Sequence, residues 1–261
     1  MPQHYILSVD YSDGWSRMLE HLPAITALTG LTHLTLVHVV ETFKRLHIED
    51  TPQAAESHLK KLAAQLQQDQ GIQVDYRVEQ GFAASEIVDC AKRLDADGII
   101  VLNRSHSAGR EILRGNIAMN LVRMTRLPLL VVPMDGKVIE PDAVIMLATD
   151  GSPSARAAER RFGEFMQRGN HGLVVWVDDG EHIEDTTAQE ALVTISGQFD
   201  NATAQRLKGE PARELVKAAA QENAALIIIG KRGTTPISDM LLGSTAATVA
   251  RESHHPVLLV P

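Results

Sequence analysis

The sequence predicts an α/β protein built from two tandem, doubly wound, Rossmann-like parallel-sheet domains, and three observations predict it. Short apolar, β-branched runs alternate with segments of helical periodicity along the whole chain. The chain also contains itself twice, because a constant shift of 128 residues lays Ala96–Pro133 on Ala224–Pro261 without a gap. Finally, the stretch Leu226–Thr245 reads as a buried strand, then Gly230-Lys231-Arg232-Gly233, nine further residues, and Gly243-Ser244-Thr245 opening a helical pattern. Glycines between a strand end and a helix start are where a parallel sheet meets its ligands.

Each half reads the same way in order. A first strand, Tyr5–Asp10 or Val144–Asp150, leads to a helix around Trp15–Leu28 or Ala155–Gln167. The second strand follows at Leu34–Val40 or Leu173–Val177. A charged helix, about Gln53–Gln68, precedes a third strand at Val74–Glu79 in the first half. In the second half the counterpart, Thr187–Phe199, is short and its pattern does not decide for a helix, and the strand after it, Ala204–Lys208, is weak. Then come a helix at Ala84–Leu94 or Ala212–Glu222, the buried fourth strand, a helix at Asn116–Met124 or Ser244–Glu252, and a last strand at Leu129–Val132 or Val257–Val260. The shift is 140 at the first strands and 128 later, so the second copy is about a dozen residues shorter, between its second and third strands. The expected domains are 1–133 and 143–261, joined by a linker at 134–142 that contains Gly136 and Pro141. Their last strands, apolar edges that need cover, are expected to join the halves as an intramolecular pseudo-two-fold dimer.

Composition excludes several classes. The formal charge of −8 argues against nucleic acid or an anionic membrane as a partner, both of which are bound by basic surfaces. No apolar run approaches bilayer-spanning length and no signal-peptide pattern opens the chain, so a cytoplasmic location is expected. Cys90, the single cysteine, sits among Ile87, Val88 and Ala91 and reads as a packed thiol. The histidines, His182 and the pair His254-His255 among them, show no metal-site spacing, and no metal ligand is expected.

The glycine-rich stretch carries the chemistry. A helix N-terminus presents unpaired N–H groups and a positive dipole end, and glycines let the main chain approach an anion. Lys231 and Arg232 add positive charge, and the hydroxyls of Ser244 and Thr245 can donate to phosphate or cap the helix. Alone, the same residues also fit a plain turn followed by a capped helix.

Gly-x2-Gly-x9-Gly-Ser after a buried strand, Thr149-Asp150-Gly151-Ser152 at the end of a first strand, Val174-Val175-Trp176-Val177 and the closing Pro256–Val260 run together resemble the universal stress protein family in its tandem-domain form. The resemblance covers essentially the whole chain apart from the linker. It implies a stress-response regulatory protein binding ATP, or a related adenine nucleotide, with a divalent ion such as Mg2+ or Mn2+. Phosphate contacts are implied at Gly230, Gly233, Gly243, Ser244 and Thr245, a nucleoside contact at Asp150, adenine near Val177, and a pocket wall at Ile229. Arg232 is added as a phosphate partner from its charge and position. The first half departs from the pattern: Leu102 and Ser105 stand at the first two glycine positions and Asn116 at the serine, so its nucleotide loop is expected to be degenerate. Its basic cluster, Arg104, His106, Arg110 and Arg114, reads as a solvated face, with the holding of a smaller anion as the alternative. No catalytic residue is assigned. Two further readings stay open: a slow ATPase using Asp150 or Asp239, and a non-nucleotide module that binds another small ligand or an unidentified protein partner.

Overall fold

The computed structural model describes residues 3–11, 14–41, 51–103, 117–140, 142–180, 186–232 and 243–261. The chain divides into two compact units, Met1–Leu130 and Val131–Pro261.

In the first unit β1 (Gln3–Ser8), β2 (Leu31–Val40), β3 (Gln73–Gln80) and β4 (Gly98–Asn103) pair in parallel in the order β3-β2-β1-β4. The fifth strand, β5 (Leu129–Pro133), starts beside β4, where the Ile99 N–H donates to Pro128 O at 2.9 Å. Helices α1 (Trp15–Thr29), α2 (Pro52–Gln70), α3 (Ala83–Arg93) and α4 (Ile117–Met124) lie between the strands in sequence. Every residue of β4 is buried, as expected of a central parallel strand covered on both faces. Helix α2 starts where Thr51 Oγ1 accepts from the Ala54 N–H at 3.2 Å, with Pro52 in its first turn. It buries Ala55, Leu59, Ala63 and Leu66, one stripe at helical spacing.

The second unit repeats this plan with β6 (Ile145–Ala148), α5 (Arg156–Gln167), β7 (Gly172–Asp178), α6 (Thr186–Gly197), β8 (Ala202–Lys208), α7 (Pro211–Gln221), β9 (Leu226–Gly230), α8 (Ser244–Glu252) and β10 (Val257–Val260). Its strand order is β10-β9-β6-β7-β8, all parallel. The undecided segment is thus a helix, of 12 residues against 19 in α2, and that difference is most of what the second copy lacks between its second and third strands. Strand β8 starts at Ala202, two residues before the sequence pattern. As an edge strand with exposed positions throughout, it is held by pairing with β7 rather than by apolar residues of its own. No helix among the described residues is long and apolar enough to cross a membrane.

Candidate functional site

From β6 the chain runs to β7 and β8 on one side, then returns to place β9 and β10 on the other. The carboxyl ends of β6 and β9 therefore flank the switch point at which doubly wound sheets bind ligands. Ala148 and Ile229 are register partners, so Asp150 and Lys231 leave adjacent strands at the same level.

The turn after β6 is tightly tied. Asp150 Oδ1 accepts from the Ser152 N–H at 3.0 Å, Thr149 Oγ1 accepts from the Gly151 N–H at 3.1 Å, and that hydroxyl donates to Glu159 Oε1 at 2.7 Å. Gly151 has φ +70, and a Cβ there would stand 2.6 Å from Thr187 O in α6. Only glycine meets both demands without strain. Across the switch point, a Cβ on Gly230 would lie 3.1 Å from Arg232 O, 3.3 Å from Ser154 O and 3.5 Å from Ala155 Cα. The main chains of β9 and of the β6–α5 turn approach that closely because residue 230 has no side chain.

Beyond β9, Lys231 is held at both main-chain groups: its N–H donates to Val260 O and its O accepts from the Gly243 N–H, each at 2.8 Å. The second of these bonds brings the start of α8 to the strand end. Gly243 is the N-cap, and no side chain caps the helix, so Ser244 is the first helical residue rather than the cap. Gly243 offers the first-turn N–H groups of α8 no side-chain acceptor, and the helix gives them no intrahelical one. Ser244 is exposed and Thr245 half-buried, both on this turn. Lys231 is buried, only 7% exposed, whereas Arg232 beside it is exposed. Burial, with the Arg232 charge adding to it, pushes the Lys231 ammonium down to about 8. Gly233 and Asp239 lie outside the described residues.

Val177 and Ile229 are buried at the ends of β7 and β9. Val177 stands two residues beyond Val175, the last β7 partner of β6, which sets it beside the β6–α5 turn. The acidic run after it does not all face the crevice. Asp178 Oδ2 accepts from Arg206 on β8 at 2.7 Å, and that guanidinium, with the Gly180 N–H, holds the carboxyl below the usual range. Arg206 also lies over the Trp176 ring, 4.6 Å from its centroid.

The first unit fills the matching places with side chains. Leu102, at the position of Gly230, is buried, and Asn103, at the position of Lys231, is 1% exposed. Tyr11, at the position of Gly151, keeps a left-handed backbone with φ 49. Its ring lies 4.9 Å from that of His38, and its hydroxyl donates to Ala55 O in α2 at 3.4 Å. The sequence reading of the first half's decisive positions included Leu102 but not Tyr11, whose role depends on a backbone angle that composition does not carry. Ser105, Asn116 and the basic cluster Arg104, His106, Arg110 and Arg114 lie outside the described residues.

Among the described residues no group of three or more His, Cys, Asp or Glu side chains gathers as a metal site would. A groove of about 670 Å3 between α2 and β3 runs along β3 from Val74 to Gln80 and mixes Glu56, Lys60, Asp75 and Arg77 along its walls.

Comparison with known proteins follows the duplication. A family model described as the universal stress protein family matches residues 6–133 and again 143–261. A universal stress protein of Mycolicibacterium smegmatis is 27% identical over 230 residues, covering 81% of this chain and 77% of that protein. One from Mycobacterium tuberculosis is 26% identical over 186 residues, and the match spans 62% of that relative's length. Another, from Thermus aquaticus, is 32% identical over 132 residues, which is 44% of this chain but 96% of the relative. A solved universal stress protein from Archaeoglobus fulgidus has a TM-score of 0.77 at 21% identity, covering 98% of this chain and 95% of that one, which is a likeness of fold.

Proposed function

We propose, from the premise that this chain belongs to the universal stress protein family, that its second unit binds ATP or a related adenine nucleotide and that the bound state regulates a stress response. One observation carries the reading: at the switch point the bare main chain of Gly230 lets the β6–α5 turn come close to the end of β9, next to the start of α8, where the first unit has buried Leu102. A phosphate chain at this point, against the Gly243 cap, would accept from the N–H groups of Ser244 and Thr245 and from their two hydroxyls, the usual partners of an anion at a helix N-terminus. Gly230 supplies the close approach, and exposed Arg232 a charge beside it. Asp150, fixed by the Ser152 N–H, is the acceptor for a ribose hydroxyl, while Ile229 and Val177 line the base end. A Mg2+ or Mn2+ would come with the nucleotide and would neutralise part of its phosphate charge.

Titration calorimetry with ATP and Mg2+ tests this. The expected result is saturable binding of about one nucleotide per chain, lost in Gly230→Leu, which copies the first unit's residue. Equal binding by wild type and Gly230→Leu, with the variant folded by circular dichroism, would refute the assignment of this crevice.

A further inference from the structure

We propose that the outer edge of β3 is an interface with a second copy of this chain, in which residues 73–79 of the two copies pair antiparallel about a two-fold axis at Tyr76. Strand β3 pairs with β2 on one side, and no strand among the described residues pairs with it on the other. Parity decides which main-chain groups face outward. The Gly81 N–H, just past the strand, donates to Val40 O, so the odd residues of β3 bond to β2 and the even ones turn their N–H and C=O away. Two side chains agree: Gln67 Oε1 on α2 accepts from the Val74 N–H at 3.4 Å, and the Arg77 guanidinium donates to Tyr76 O at 2.7 Å. Both cover the edge in the single chain.

An unpaired edge is a template for another strand, and this one is complementary to itself. It reads Gln-Val-Asp-Tyr-Arg-Val-Glu, and turned about Tyr76 it sets Val74 against the partner's Val78 and Tyr76 against the partner's Tyr76. These three outward-bonding pairs exchange two N–H···O bonds each, about six in all, for the two side-chain bonds given up. Between them Asp75 faces the partner's Arg77, and Arg77 the partner's Asp75, at the closer spacing of pairs that share no main-chain bond. The neighbouring registers set Asp75 against the partner's Asp75 or Arg77 against the partner's Arg77, and like charges directly opposite destabilise. Charge therefore selects the register centred on Tyr76. The outer strand of the second unit, β8, carries Arg206 and Lys208 and no acidic residue, so it has no such match with itself.

The surroundings suit the exchange. His33 Nε2 and Gln73 Nε2 both bond to Asp75 Oδ2, at 2.8 and 3.1 Å, which holds at the edge a carboxylate able to accept on either oxygen. Arg77 is exposed, and its move to the partner's Asp75 releases Tyr76 O for the ladder. On the α2 side Val74, Tyr76 and Val78 line the groove, and the partner's Val78, Tyr76 and Val74 continue that strip. Gln67 is tied to Val74, and two strand residues rise about 7 Å, as do between four and five helical ones, so Ala63 and Ala64 stand about level with Tyr76. The α2 wall is thus small-sided nearest the axis.

Sedimentation velocity of the full chain, from micromolar to near-millimolar concentration, tests this. A reversible monomer–dimer equilibrium is expected. Asp75→Arg and Arg77→Asp each bring like charges together across the axis and should weaken the dimer at least about tenfold, whereas the double variant should return to within about threefold of wild type. The double variant lacks the His33 bond as Asp75→Arg does, so its recovery reports pairing rather than a local disturbance. Tyr76→Pro removes an outward N–H, which an edge strand tolerates, and should give a monomer that is folded by circular dichroism. A chain monomeric throughout, a dimer indifferent to these variants, or a double variant as weak as the singles would each overturn the proposal. So would assembly beyond the dimer, the mark of head-to-tail pairing between β3 and β8.

Discussion

At the scale of single residues, three pairs among the described residues set the two copies of the crevice apart: Gly151 against Tyr11, Gly230 against Leu102, and Lys231 against Asn103. Each pair occupies one structural place, so each substitution exchanges a known environment. Gly151→Ala meets both a left-handed backbone and Thr187 O at 2.6 Å, and it should destabilise the protein by about 1–3 kcal/mol. Differential scanning calorimetry would record this as a fall of about 2–4 °C per kcal/mol in the transition that contains the second unit. An unchanged transition would mean that α6 moves aside freely. Of these six positions, Gly230 and Leu102 were legible as motif and departure from motif. Lys231 was legible as charge but not as a buried charge, because strand-end burial depends on β10 and α8 closing over it.

At the scale of elements, α1 and α3 carry buried titratable groups whose behaviour follows from packing. His21 on α1 is fully buried, and burial together with the Arg17 charge pushes it down to about 4, with Glu20 opposing. Its folded value lies below the unfolded 6.5, so on acidification the unfolded chain takes up the proton first. Stability is therefore full above about 6.5 and is lost as pH falls towards 4, by roughly 2–3 kcal/mol. Urea denaturation at several pH values should show this acid limb in wild type, flattened in His21→Leu; the same limb in both would assign it elsewhere. On α3, burial raises the Cys90 thiol to about 11. A thiol reagent at pH 8 should label Cys90 only after denaturant is added, and fast labelling of the native chain would contradict the packing. Strongly patterned elements such as β4 and β9 were readable from apolar runs alone. By contrast α6 and β8 were not, since a 12-residue helix and an exposed edge strand take their form from neighbours.

At the scale of the whole molecule, duplication made the fold legible: one alignment of the chain with itself fixed the order of elements in both units before any strand was paired. The crevice was less legible, because its shape depends on how nearly two turns touch. If the second unit alone takes nucleotide, hydrogen exchange with saturating ATP and Mg2+ should slow at 148–155, 226–232 and 243–252 and stay unchanged at 8–11 and 98–103. Equal slowing in the first unit would show that Leu102 and Tyr11 do not exclude the ligand.

The bend after the first strand has the same handedness under Gly151 and under Tyr11, at φ 70 and 49. Curvature that survives the loss of its most permissive residue is imposed by the surrounding framework, with the aromatic ring braced against Ala55 and His38. The first unit thus sets a keystone where the second leaves the turn bare. Removing that phenol as Tyr11→Gly should loosen α2 more than it opens a berth for any guest.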